Sequence, residues 1–161
     1  ASDVYKRQFR GYLDALGKLD GLDSKVFYCA GWAFPFFPFQ DFSGKSINFE
    51  HACETARSGL LKKLYLINDG NFLVPQKEYI KSIKIIEKYR INAADVMLVN
   101  YKWLSDGGVL KIVPHSSYYH RVEETSFWNN NAVSSKINVL QIFECFEKNL
   151  RWNINALGNL Q

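Results

Sequence analysis

The sequence predicts an α/β fold, and three observations point to it. Segments of helical and strand periodicity alternate along the chain, the order expected of layered α/β domains. Turn and stop residues fall between those segments. Apolar residues make up 47% of the chain and charged residues 22%, the proportions of a soluble globular protein. At 161 residues the chain is long enough to bury a sizeable core. No repeat, low-complexity tract or linker divides residues 9–161, which read as one α/β domain.

The elements follow in order. Phe9, Tyr12, Leu13, Leu16 and Leu19 recur at helical spacing until Asp20-Gly21 stops the run. Lys25 to Ala30 reads as a short buried strand. The aromatic stretch Trp32 to Phe39 carries Pro35 and Pro38, which remove backbone donors and make it a loop. Asn48 can cap a helix over Phe49 to Ser58, with Gly59 as its stop. Leu64 to Asn68 is a strand and Asp69-Gly70-Asn71 a turn. Pro75 opens a helix with Tyr79, Ile83 and Ile86 on one face. Asp95 opens another, carrying Met97, Tyr101 and Leu104 and ending at Gly107-Gly108. Two strands follow, Val109 to Val113 and Ser117 to Val122, separated by Pro114. Ser134 or Ser135 caps a last helix bearing Leu140, Phe143, Phe146 and Leu150.

Composition removes several function classes. The net charge of +4 is mild and no basic run exceeds Lys62-Lys63, so nucleic acid is not an expected partner. Cys29, Cys53 and Cys145 lack CxxC spacing, which reads as reduced thiols and a cytoplasmic setting. No apolar run approaches the roughly 18 residues that span a bilayer. Ser43-Gly44-Lys45-Ser46 resembles the end of a phosphate-binding loop, but Phe39 stands where that motif needs its first glycine. GxGxxG and GxSxG are absent, and His51, His115 and His120 have no zinc-binding spacing.

The stretch from Tyr118 to Trp128, YYHRVEETSFW, is the most suggestive. It closes a longer run that starts at Ala94. An acid opens an amphipathic helix, a glycine stop ends it, and a strand reaches Val-Pro. A second aromatic strand then carries His-Arg, with a serine five residues after the arginine. This order resembles the C-terminal, acceptor-side half of GT-A-fold glycosyltransferases, particularly the family-two class of inverting enzymes. Coverage runs from about Val26 to Asn131 and is strongest from Asp95 onward. Asn68 and Asp69 fall on the strand and turn that precede the acceptor helix.

The resemblance implies an incomplete GT-A or Rossmann-like layered sheet flanked by helices. It also implies sugar transfer from a nucleotide-sugar donor to an acceptor hydroxyl, in bacterial surface-polysaccharide or glycoconjugate assembly. The acceptor would be a glycan or a lipid-linked molecule, with room for peripheral membrane association. Asp95 matches the catalytic base, a carboxylate that can accept the hydroxyl proton. Family members usually carry Glu-Asp there, whereas this chain has Ala94-Asp95. His120 and Arg121 match a position that meets the donor diphosphate or its metal, with His120 the candidate metal ligand. Tyr119, Trp103 and Trp128 offer rings for stacking on sugars, and Ser126 completes the segment. Mg2+ or Mn2+ is the cofactor implied for the intact enzyme; none is evident in this portion, since the chain has no DxD motif.

Each residue also has a structural reading. Asp95 can serve the helix dipole, His120 and Arg121 can sit on a solvated strand edge, and the aromatic residues can be core. The first eight residues, ASDVYKRQ, resemble read-through of sequencing-adapter DNA in a metagenomic reading frame, and the nucleotide-binding half is expected upstream of residue 9. Two rival readings remain. In one, Asn48 to Val99 resembles a non-catalytic Rossmann-like module of the kind attached to methyltransferases and sugar-modifying enzymes, binding a ligand or partner, with Ala94 to Val99 as a parallel strand. In the other, a truncated frame has no function of its own. The conformation of Val96 to Leu104 separates the first rival from the transferase: strand for the module, helix for the transferase.

Overall fold

The computed structural model describes residues 26–32, 44–59, 72–89, 94–118, 130 and 132–152. Eight elements follow in chain order: β1 (Val26–Trp32), β2 (Ser46–Ile47), α1 (Phe49–Arg57), β3 (Phe72–Leu73), α2 (Gln76–Tyr89), α3 (Asp95–Ser105), β4 (Val109–Tyr118) and α4 (Ala132–Glu147). The architecture is mixed α/β. The expected helix over 9–19, the strand Leu64 to Asn68 and its turn lie outside the described residues; of the loop expected over Trp32 to Phe39 only Trp32 is described, and it ends β1, paired with Tyr118.

The strands form one four-stranded sheet in the order β2-β4-β1-β3. β1 and β4 run parallel at its centre, and the two-residue strands β2 and β3 flank them antiparallel. The broad layered sheet that the glycosyltransferase resemblance implies is not seen among the described residues. Parallel neighbours need a long crossover, and here it carries α1, α2 and α3. Residues Val26 to Ala30 pair with Val109 to Val113, then Gly31 and Trp32 pair with Ser117 and Tyr118. Residues 114–116 therefore bulge out of register. The break expected at Pro114 is thus a bulge within a single strand: proline cannot donate to the ladder, so the pairing skips past it.

Local chemistry sets the helix ends. Asn48 is extended, and its side chain accepts from the His51 N–H at 2.9 Å while Ala52 N–H donates to its carbonyl. Gly59, at φ +75°, ends that helix in a conformation that favours glycine. In α2 the Pro75 carbonyl accepts from Glu78 and Tyr79 N–H, so the proline sits just outside the first turn. At the end of α3, Gly108 N–H donates to Trp103 O and Gly107 N–H to Leu104 O. Those bonds require the left-handed Gly107, φ +90°.

α4 repeats this closure with an asparagine. Asn149, φ 54°, donates to Phe146 O, and Leu150 N–H donates to Cys145 O. Two expectations for α4 change accordingly. It is already helical at Ala132, ahead of Ser134 and Ser135, and it stops before Leu150, which instead packs on the core from the closing turn. Leu140 is 56% exposed rather than buried. The inward face is Asn138, Ile142, Cys145 and Phe146, and Leu140 lies opposite it at 100° per residue.

α3 is the central element. Met97, Leu98, Val99, Asn100, Tyr101, Trp103, Leu104 and Ser105 are all buried, as befits a helix apolar on most of its circumference. Residues 95–105 are helical, with Leu98 N–H donating to Ala94 O at 3.0 Å. The strand that the Rossmann-like module needs over Ala94 to Val99 is therefore absent. Around α3 the core gathers Phe49, Ala52, Cys53 and Ala56 of α1, Ile47 of β2, Leu110 and Ile112 of β4, and Ile142, Cys145 and Phe146 of α4. No described helix is long and apolar enough to cross a membrane.

Two substitutions check this packing. Asn48→Ala removes the α1 cap and should destabilise the protein by about 1 kcal/mol, read as a lower urea midpoint at unchanged slope. Gly108 is tighter: a Cβ there would stand 2.2 Å from the Trp103 indole. Gly108→Ala should cost about 1–3 kcal/mol, and pairing it with Trp103→Phe should change that cost by more than additivity allows.

Candidate functional site

Of the residues singled out by sequence, the structure describes Asp95 and Trp103. His120, Arg121, Tyr119, Ser126, Trp128, Asn68 and Asp69 lie outside the described residues, so their distance from Asp95 is not part of this geometry.

Asp95 is the first residue of α3 and the acid of its first turn. Ala94 holds the cap position, fully buried and with no side-chain hydrogen bond to give. The carboxylate is therefore carried on a fixed backbone, partly exposed, at the positive end of a helix whose remaining turns are mostly buried. Its neighbour across the α2–α3 packing is Tyr79. Burial pushes the Tyr79 phenol above its ordinary value, and the negative charge of Asp95 adds to that rise. Tyr79 was legible in the sequence as a member of the α2 apolar face, but no spacing rule links residues of two different helices.

Trp103 is 6% exposed, and its Nε1 donates to Val109 O at 3.2 Å. It thus bridges α3 to the start of β4 across the Gly107-Gly108 turn. This placement gives the ring a packing role, and a face for sugar stacking is not on view.

The Ser43-Gly44-Lys45-Ser46 stretch also finds an ordinary use. Gly44 N–H donates to Ile112 O and Ile112 N–H donates to Lys45 O, both at 2.9 Å. The Gly44 amide is spent on the sheet edge and is not turned toward an anion.

A second cluster of reactive residue types lies inside the core. Tyr101, fully buried, donates its hydroxyl to Leu150 O at 2.5 Å. Burial raises it far above the usual phenol range, and Cys145 and then Cys53 add to that. Cys53 is pushed from 9.0 to about 11, chiefly by burial against an opposing pull from Arg57. Burial likewise raises Cys145, which Tyr101 partly offsets. Both cysteines are buried, reduced thiols. A nucleophilic thiol needs a lowered pKa and access, so this cluster is structural.

Among the described residues no three His, Cys, Asp or Glu side chains gather as a metal-binding group. His120, the candidate ligand for the divalent ion that the resemblance implies, lies outside them. No protein-family profile, curated protein or solved structure matches the chain.

The electrostatics make two checkable statements. Cys53 and Tyr101 both titrate higher when folded. Above pH 9 the unfolded chain therefore loses protons that the folded chain keeps. The stability they contribute is complete below about pH 9 and drains away as pH rises toward the folded Cys53 value of about 11. The urea midpoint should fall across that window, less steeply in Cys53→Ala. Replacing Asp95 with Asn should lower the Tyr79 titration midpoint, resolved from the other tyrosines by carbon-13 NMR of the ring; an unmoved midpoint would separate the two side chains.

Proposed function

We propose that the chain is the acceptor-side portion of a GT-A-like bacterial glycosyltransferase, with Asp95 as the catalytic base. The observation that carries this reading is the position of Asp95: a part-exposed carboxylate at the first residue of an otherwise largely buried helix, over the residues whose sequence order resembles that family. The helical conformation of Val96 to Leu104 supports it over the Rossmann-like binding module, which needs a strand there.

In this reading the acceptor hydroxyl gives its proton to an Asp95 carboxylate oxygen as its own oxygen attacks the anomeric carbon of the donor sugar. A glycosidic C–O bond forms, the bond to the nucleoside diphosphate breaks, and the electron pair leaves with the diphosphate. Inversion follows from displacement on the opposite face. A well-placed base contributes about 10²–10⁴-fold to such a step. The partners are a nucleotide-sugar donor and a glycan or lipid-linked acceptor, in a cytoplasmic setting that suits the reduced thiols of Cys53 and Cys145. Mg2+ or Mn2+, where the intact enzyme uses one, would offset charge on the donor diphosphate, with His120 the candidate ligand in this chain. His120 and Arg121 are the diphosphate-side candidates; Tyr119, Trp128, Ser126, Asn68 and Asp69 are candidates for sugar contacts.

The test is transfer by the full-length protein, followed as nucleoside diphosphate release across a panel of nucleotide sugars with glycan and lipid-linked acceptors. Asp95→Asn should lower transfer at least about 100-fold, with donor affinity by calorimetry little changed. Normal transfer by that variant would remove Asp95 from the base role.

A further inference from the structure

We draw no further inference here: the strongest candidate, the exposed apolar stripe of Val133, Ile137 and Leu140 along the outer face of α4, carries nothing because nothing in the structure shows what covers it.

Discussion

The burial of Tyr101 imposes a constraint that much of the described core obeys. Its ring meets Phe146 edge-on at 5.0 Å, Trp152 at 5.6 Å and Phe49 at 6.3 Å, so one side chain of α3 touches α1, α4 and the segment after α4. A buried phenol must place its hydroxyl hydrogen or lose about 1–3 kcal/mol. The acceptor is the Leu150 carbonyl, one residue past the left-handed Asn149 of the closing turn. The turn at Asn149 therefore does more than end α4. It aims Leu150 at Tyr101 and sends the next two residues across the surface of α1 and α3. Arg151 then pairs with Glu50, donates to Ser105 O and lies over the Phe49 ring at 5.0 Å. Trp152 N–H donates to Ser105 Oγ, and Lys102 stands over the Trp152 ring. The Arg151–Glu50 pair is well exposed at both ends and stabilises little by itself. The aromatic cluster beneath it supplies the cohesion.

The sheet depends on that helical layer in turn. Two parallel strands pair less strongly per residue than antiparallel ones and cannot be joined by a tight turn. β1 and β4 meet through α1, α2 and α3, so packing around Tyr101 shortens the effective separation of the strands. Leu110 and Ile112 enter the core while Lys111 between them stays partly exposed, the period-two alternation of a strand with one covered face. Trp103 and Gly108 set where β4 leaves the helix. The Trp103 indole leaves no room for a side chain at Gly108, while the left-handed backbone of the turn falls on Gly107, so the two glycines answer a steric and a backbone demand in turn.

Helix boundaries were legible where the usual capping or stop residue marks them. Asn48 and Gly59 frame α1, Asp95 and Gly107-Gly108 frame α3, and each works through bonds spanning no more than six residues. The strand at Val26 was legible from its apolar run. What escaped the sequence depends on an uncommon residue in a local role or on contacts of longer range. Asn149 ends α4 in a role that glycine more often fills, so Leu150 looked like one more helical turn. Leu140 fits an apolar helical pattern yet faces outward, because the inward face is chosen by Phe49 and Tyr101 on other helices. The bulge at Pro114 looked like an end, since a proline alone does not tell whether pairing resumes. For the site, Asp95 was legible at its helix start, whereas its approach to Tyr79 is a fact of packing between α2 and α3.

That approach bears on what Asp95 contributes under the proposed function. A carboxylate placed for stability would serve best at the cap, where its oxygens reach the free N–H groups, yet Ala94 occupies the cap and leaves them to Asp95's turn. At the first helical position the dipole contributes only about 0.3–1 kcal/mol, and solvent reduces it for a part-exposed group. A fold held by Tyr101 and its aromatic neighbours hardly needs that increment. What α3 does offer is rigidity: a helix buried along almost its whole length fixes its first residue in direction as well as position. A base gains more from such orientation than a surface charge does, because proton transfer requires its oxygen within hydrogen-bonding reach of the hydroxyl at the moment of attack. Tyr79, whose phenol both burial and the Asp95 charge push above its ordinary value, adds no competing charge near it.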